Sequence, residues 1–285
     1  MNFDLGAIMR KTSILLKNSL MAFGIISSMV TVLWAIFPKD LPDFVAKCPW
    51  LIFGVLILIS ICYGLTTVRN KNKITLNLTP KVKAKIYDGD LLAQNGIIVI
   101  PVNDYFDTIV DNKIISENTL HGMFIKRFFG GDEKNLRSQI TKVLSTVTPA
   151  SVNTTRKTGN KKRYPLGTVV EVTKDERVFY LVALTRFNDN HRAEIKNTEY
   201  QQVLCSLFSY IHQFSQGRKV SLPLMGSGHS GVNLSKQKLL EFLLFSIAMN
   251  DNLTLIDGID IILHSSNKNE INLTMTEILF NSIKD

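Results

Sequence analysis

Cysteine is scarce in this 285-residue chain, which has only Cys48, Cys62 and Cys205. Cys48 and Cys62 belong to apolar surroundings, and Cys205 falls on an apolar stripe at helical spacing. No disulfide framework is therefore expected. Neither Cys-x-x-Cys nor His-x-x-x-His occurs and the five histidines are scattered, so no metal site is expected. No Ser-His-Asp or Cys-His arrangement can be read, so no catalytic residue is assigned. Nothing calls for a bound cofactor. Internal repeats and low-complexity stretches are absent.

Charge is missing from two long runs. Residues 19–37 and 49–68 carry none, and about 20 helical residues rise roughly 30 Å, the thickness of a bilayer's hydrocarbon core. Trp34, Trp50 and Tyr63 lie near the run ends, where amphipathic aromatics favour the membrane interface. Two runs in succession, without a small-residue cleavage site, predict a membrane hairpin over a signal peptide. Arg10, Lys11 and Lys17 precede the first run, and Arg69, Lys71, Lys73, Lys81, Lys83 and Lys85 follow the second. In the short loop 38–48, Lys39 and Lys47 are balanced by Asp40 and Asp43. Positive-inside counting then puts both termini in the cytoplasm. The expected organisation is an anchor over residues 1–70, a polar connector over 71–80 and a cytoplasmic domain over 81–285.

The net charge is +9, and its densest basic run is Arg156–Arg163, Arg-Lys-Thr-Gly-Asn-Lys-Lys-Arg. With no interleaved aromatic residues it reads as a solvated loop, able to meet anionic headgroups, and nucleic acid is not an expected partner.

Beyond residue 81, apolar runs of strand length alternate with amphipathic stretches of helical period. One such stretch places Val203, Leu207, Phe208, Ile211 and Phe214 on one face, with Gly217 to end it. The pattern predicts an α/β/α layered domain with a mixed sheet. "SLPLMGSGHSGVNLSK", residues 221–236, leads a strand through Gly226, Gly228 and Gly231 into a helix. Backbone N–H groups and a helix N-terminus there form a cradle for phosphate. The rest of the chain argues against a dinucleotide-binding dehydrogenase. Too little chain follows for a doubly wound domain, and the next strand ends in His264 and Ser265 with no carboxylate for a ribose. A P-loop is excluded as well, because Val232 and Asn233 follow Gly231 where Lys and Ser or Thr are required.

Three stretches together resemble the macro domain, an α/β/α module that holds ADP-ribose and its derivatives. "YDGDLL" is similar to the family element whose Asp recognises the adenine amino group, which implies that role for Asp90, beside Leu91. "IIVIPVNDY" resembles the strand that delivers Val102 and Asn103 to the first ligand loop. "SLPLMGSGHSGVNL" resembles the loop that wraps the diphosphate, which implies ligand contacts from Leu224, Met225, Gly226, Ser227, Gly228, His229, Ser230, Gly231 and Val232. His264 and Asn267 would approach adenine or ribose, and Glu117, Thr119 and His121 the distal ribose. Bland roles compete: Asp90 suits a helix cap, Asn103 a turn, and His264 and Asn267 a polar strand exit. The sequence departs from hydrolytic members, with Phe106 where their second Asn falls and no glycine triplet after it, so a binder is expected over a hydrolase. The two spans ahead of such a domain resemble effectors of prokaryotic Thoeris anti-phage systems. That resemblance implies a signal derived from NAD by a TIR-domain partner, a homo-oligomer and damage to the membrane.

Overall fold

The computed structural model describes residues 2–36, 48–188, 192–228, 231–267 and 270–283. Most of the loop 38–48, and His229 and Ser230, lie outside the described residues. The chain divides into two compact units, residues 1–71 with 273–282, and residues 72–272 with 283–285.

In the first unit, α1 (Asn2–Ile36) and α2 (Pro49–Thr67) pack against each other. Pro49 opens α2 with its fixed backbone and missing N–H at a position where no intrahelical bond is lost. Thr12–Ile36 and Pro49–Thr67 are long and apolar enough to cross a membrane. The helices meet through small residues. Ala22, Ser60 and Gly64 are buried, and a Cβ at Gly64 would collide with Ser19 Oγ and lie 3.0 Å from the Leu15 carbonyl oxygen. Asn18 Nδ2 donates to Thr67 Oγ1 at 3.0 Å, and Phe23 meets Phe53 edge-on at 5.9 Å. Gly24 and Gly54 have nothing among the described residues within 4 Å of a Cβ. The last helix, α7 (Leu273–Asn281), belongs to this unit as well.

The second unit is built on an eight-stranded sheet. Its strands are β1 (Lys73–Thr79), β2 (Val82–Asp88), β3 (Ile97–Asn103), β6 (Val169–Lys174), β7 (Arg177–Phe187), β8 (Ala193–Glu194), β9 (Val220–Pro223) and β10 (Leu255–Leu263), in the order β1-β2-β10-β9-β3-β7-β6 with β8 pairing β7. The run from β2 to β7 is parallel, and β1 and β6 close it antiparallel. This is the mixed sheet that the alternating apolar runs predict. Parallel strands are covered on both faces, which explains why Ile97–Ile100 in β3 are all fully buried. Helices α3 (Leu120–Phe129), α4 (Glu133–Leu144), α5 (Asn197–Phe214) and α6 (Lys236–Ala248) supply the covering layers, and β4 (Ser151–Val152) pairs with β5 (Lys162–Arg163) as a separate hairpin.

Four expectations need correction. Residues 73–79, inside the stretch read as a connector, form β1, whose Ile74 and Leu76 are buried while Lys73, Thr75 and Asn77 face outward. Phe214 ends α5 exposed and stacks on Tyr210 at 4.4 Å, off the buried face. Cys205 is exposed instead of lying on that face. The basic run 156–163 is not uniformly solvated, because Arg156 is buried and Arg163 partly so.

Candidate functional site

Because β2, β10, β9, β3 and β7 run parallel, their C-terminal ends share one edge of the sheet. Ligands of open α/β sheets bind in the crevice outside those ends, where loops diverge to opposite faces. The sequence-derived candidates gather there. Asp90 and Leu91 follow β2, Val102 and Asn103 end β3, residues 224–232 follow β9, and His264 and Asn267 follow β10. Glu117, Thr119 and His121 lie where the loop after β3 enters α3.

Asp90 caps the short 3-10 turn Leu91–Ala93, its Oδ1 accepting from Leu92 N at 2.8 Å. Its Oδ2 pairs with Arg127 Nη1 of α3 at 2.7 Å. Partial burial opposes ionisation, but the Arg127 and Leu92 bonds outweigh it and hold the carboxyl below its ordinary range. The side chain stays 56% exposed, so an ionised acceptor faces solvent at this edge.

The loop after β3 is locked from within. Asn103 Oδ1 accepts from Tyr105 N at 3.0 Å, and Nδ2 donates to Asp107 Oδ2 at 3.2 Å. The Asn103 side chain is buried and spent on shaping the loop, the turn role that competed with ligand contact. Phe106 adopts a left-handed backbone, φ 51°, which a bulky residue rarely tolerates and which costs on the order of 1–3 kcal/mol. Three contacts hold it. Its ring is buried edge-on to Tyr164 at 6.0 Å, and Asn160 Nδ2 donates to the carbonyls of Tyr105 at 3.0 Å and Phe106 at 2.9 Å.

The segment carrying Asn160 was not a sequence candidate. Arg156 reaches Asp107 through both Nη atoms, at 3.0 and 2.8 Å, a bidentate pair that is almost wholly buried. Its guanidinium also lies 3.9 Å from the centre of the Tyr105 ring. Arg163 Nε donates to Asp104 Oδ2 at 2.9 Å, and Asp104 Oδ1 accepts from Phe187 N at 3.1 Å. Burial raises the Asp104 carboxyl against those stabilising bonds. The β4–β5 hairpin thus clamps the first loop onto the ends of β3 and β7. A charge run gives no sign of this, since inward and outward arginines look alike in sequence.

The glycine loop after β9 folds over its own start. Ser227 N and Oγ both donate to the Leu224 carbonyl, Oγ at 2.6 Å, and Tyr200 Oη fixes the buried Met225 carbonyl at 3.0 Å. Leu224 and Met225 are buried, as is Val102, so their side chains pack inside the fold at this edge. Gly226, φ 84°, needs its freedom: a Cβ there would press on Val232 Cγ2 at 3.0 Å. Gly228 is exposed, with nothing among the described residues within 4 Å of a Cβ. Ser235 then caps α6, accepting from Lys238 N.

After β10, His264 Nδ1 lies 2.9 Å from Ser266 Oγ, both exposed, while Asn267 is buried. Thr119 caps α3 through Gly122 N at 3.1 Å, and Glu117 pairs with Lys126. His121 has no hydrogen-bond partner among the described residues. It shares the inward stripe of α3 with Ile125 and Phe129, and burial holds its imidazole down to about 3. No cluster of His, Cys, Asp or Glu able to hold a metal occurs among the described residues.

This strand order, with these loops at its C-terminal edge, defines a class. A variant of the Oceanobacillus iheyensis macrodomain with ADPR superposes with a TM-score of 0.51 at 12% identity, over 75% of this chain and 100% of that one. The same macrodomain with ADP superposes at 0.52, also at 12% identity, over 74% and 97%. At that identity the likeness fixes the fold, which is that of a macro domain. Residues 84–264 match the family described as "Thoeris protein ThsA, Macro domain", and the chain belongs to that family. It is 28% identical to the Thoeris protein ThsA of Bacillus amyloliquefaciens (strain Y2) over 264 residues, 87% of this chain and 86% of that protein.

Proposed function

We propose that this protein is a membrane-anchored receptor of Thoeris anti-phage defence. It binds an ADP-ribose-type nucleotide in its macro domain, then assembles with further copies and disrupts the membrane. The observation that carries this is the joining, in one chain of the ThsA macro-domain family, of the crevice to two unshielded apolar helices. Trp50 and Leu58 are 83% and 64% exposed, and that much apolar surface fits a hydrocarbon solvent better than water. Both termini and the macro domain lie in the cytoplasm of a prokaryotic cell, where a TIR-domain partner supplies the signal.

In the crevice, Asp90 accepts a hydrogen bond from the adenine amino group. The loop 226–232 offers backbone N–H groups to the diphosphate, helped by the positive end of α6. His264, and Glu117 with Thr119, border the two riboses, and His229 and Ser230 belong to the same loop by sequence. The protein acts as a receptor and not as a hydrolase. Titrating the full chain in detergent with ADP-ribose, its conjugates and NAD, then analysing the recovered ligand, tests both statements. A saturable complex with intact ligand is expected, together with dye release from proteoliposomes. Gly228→Glu puts a charged side chain where a Cβ meets none of the described residues, so it should abolish binding in a folded protein. Undiminished affinity there, or a hydrolysed ligand, would refute the reading.

A further inference from the structure

The chain leaves the macro unit for the helical unit between Asn272 and Leu273, and these two neighbours are tied to different places. Asn272 N donates to Gln237 Oε1 at 2.8 Å. Gln237 lies in the first turn of α6, directly after the glycine loop, and its Nε2 donates to Glu241 Oε1 at 2.6 Å, which turns Oε1 toward Asn272. Two residues earlier, Glu270 pairs with Lys236 of the same turn at 2.7 Å. Leu273 N instead donates to Asn70 Oδ1 at 2.9 Å, so the first donor of α7 is satisfied by the segment leaving α2. Thr274 Oγ1 donates to the Arg69 carbonyl at 2.6 Å and accepts from Lys71 N at 3.1 Å, and this residue is 2% exposed. Lys71 also pairs with Glu277.

We propose that residues 270–274 form the strap that couples the ligand crevice to the membrane hairpin, with Gln237 as its clasp on the sensor side and Asn70 and Thr274 as its clasp on the anchor side. This rests on the receptor reading above and names how the site is regulated. A ligand shifts an equilibrium only by interacting differently with two states. Anion binding at the start of α6 acts on the turn that holds Asn272, and the next peptide carries the displacement into α7. Both clasps are hydrogen bonds to backbone N–H groups at consecutive residues, so little slack lies between them.

The test uses the full chain in nanodiscs with ADP-ribose at millimolar concentration, read by hydrogen exchange. In the wild type, ADP-ribose should change exchange across residues 273–281 by about fivefold or more, the reach of a coupling near 1 kcal/mol. Two variants should bind ADP-ribose with affinity within about twofold of wild type yet lose that response. One inserts two glycines between Asn272 and Leu273, which keeps every side chain. The other combines Asn70→Ala with Thr274→Val, which removes the anchor clasp. A ligand-bound wild type with unchanged exchange in α7 would overturn the strap, as would a full response in the insertion variant. If α7 responds but no dye escapes from proteoliposomes, the membrane half of the receptor reading falls while the strap stands. If ADP-ribose does not bind the wild type, the receptor reading fails and takes the strap with it.

Discussion

His121 is a neutral imidazole by construction. Burial alone moves it from an ordinary value of 6.5 down to about 3. Unfolded, it takes a proton as pH falls below about 6.5; folded, it resists until near 3, so the unfolded state binds more protons throughout that window. Stability should therefore be complete above the upper value and decline as pH falls toward the lower one, by up to about 1.4 kcal/mol per unit. His121→Leu should flatten this part of a melting-temperature profile, and equal slopes in the two proteins would show that the imidazole is not buried as described. Single residues were the hardest scale to read from the sequence. Asp90 is legible as a carboxylate after a strand, but its partner Arg127 lies on a helix 37 positions away. Nothing local to Phe106 announces that Asn160 would hold its backbone. Such bonds join segments whose meeting is decided by the sheet, not by their own composition.

At the scale of elements, periodicity served well where burial is two-sided or strictly alternating. The apolar runs that became β3, β7 and β10 and the amphipathic stretch of α5 are legible for that reason. Lys-Ile-Thr-Leu-Asn-Leu-Thr was missed as β1 because its polar half resembles a linker, although Ile74 and Leu76 alternate as an edge strand requires. Between β6 and β7, Asp175 and Glu176 both adopt left-handed backbones, 49° and 64°, which match the twist of a tight hairpin. In the hairpin of spans, Gly64 carries the close approach that Gly24 and Gly54 do not. Gly64→Leu forces α2 away from Ser19 and Leu15, an overpacking cost of about 1–3 kcal/mol. With cysteines at positions 18 and 67 as the only thiols, a short bifunctional reagent should link the two spans efficiently. The added Gly64→Leu change should cut that yield roughly tenfold, as an energy of that size implies. An undiminished yield would show that the glycine is not at the contact.

For the whole molecule, orientation follows from where Lys and Arg sit around the spans. A cysteine at Asp43, with Cys48 changed to Ser, should react with an impermeant thiol reagent added to intact cells, while a reporter fused after residue 285 behaves as cytoplasmic. Protection at position 43 together with an external reporter would invert the arrangement. The order of strands has its own consequence for how the molecule comes into being. β10, next to last among the regular elements in the chain, lies between β2 and β9 in the middle of the sheet, with Ile261 opposite both Ile86 and Leu222. Until it leaves the ribosome, the β1–β2 ribbon and the block β9-β3-β7-β6 are two fragments with unpaired inner edges. Pairings this distant in sequence form slowly and leave strand edges exposed meanwhile. The two apolar helices precede every one of these strands in the chain, so they are complete before the sheet can close.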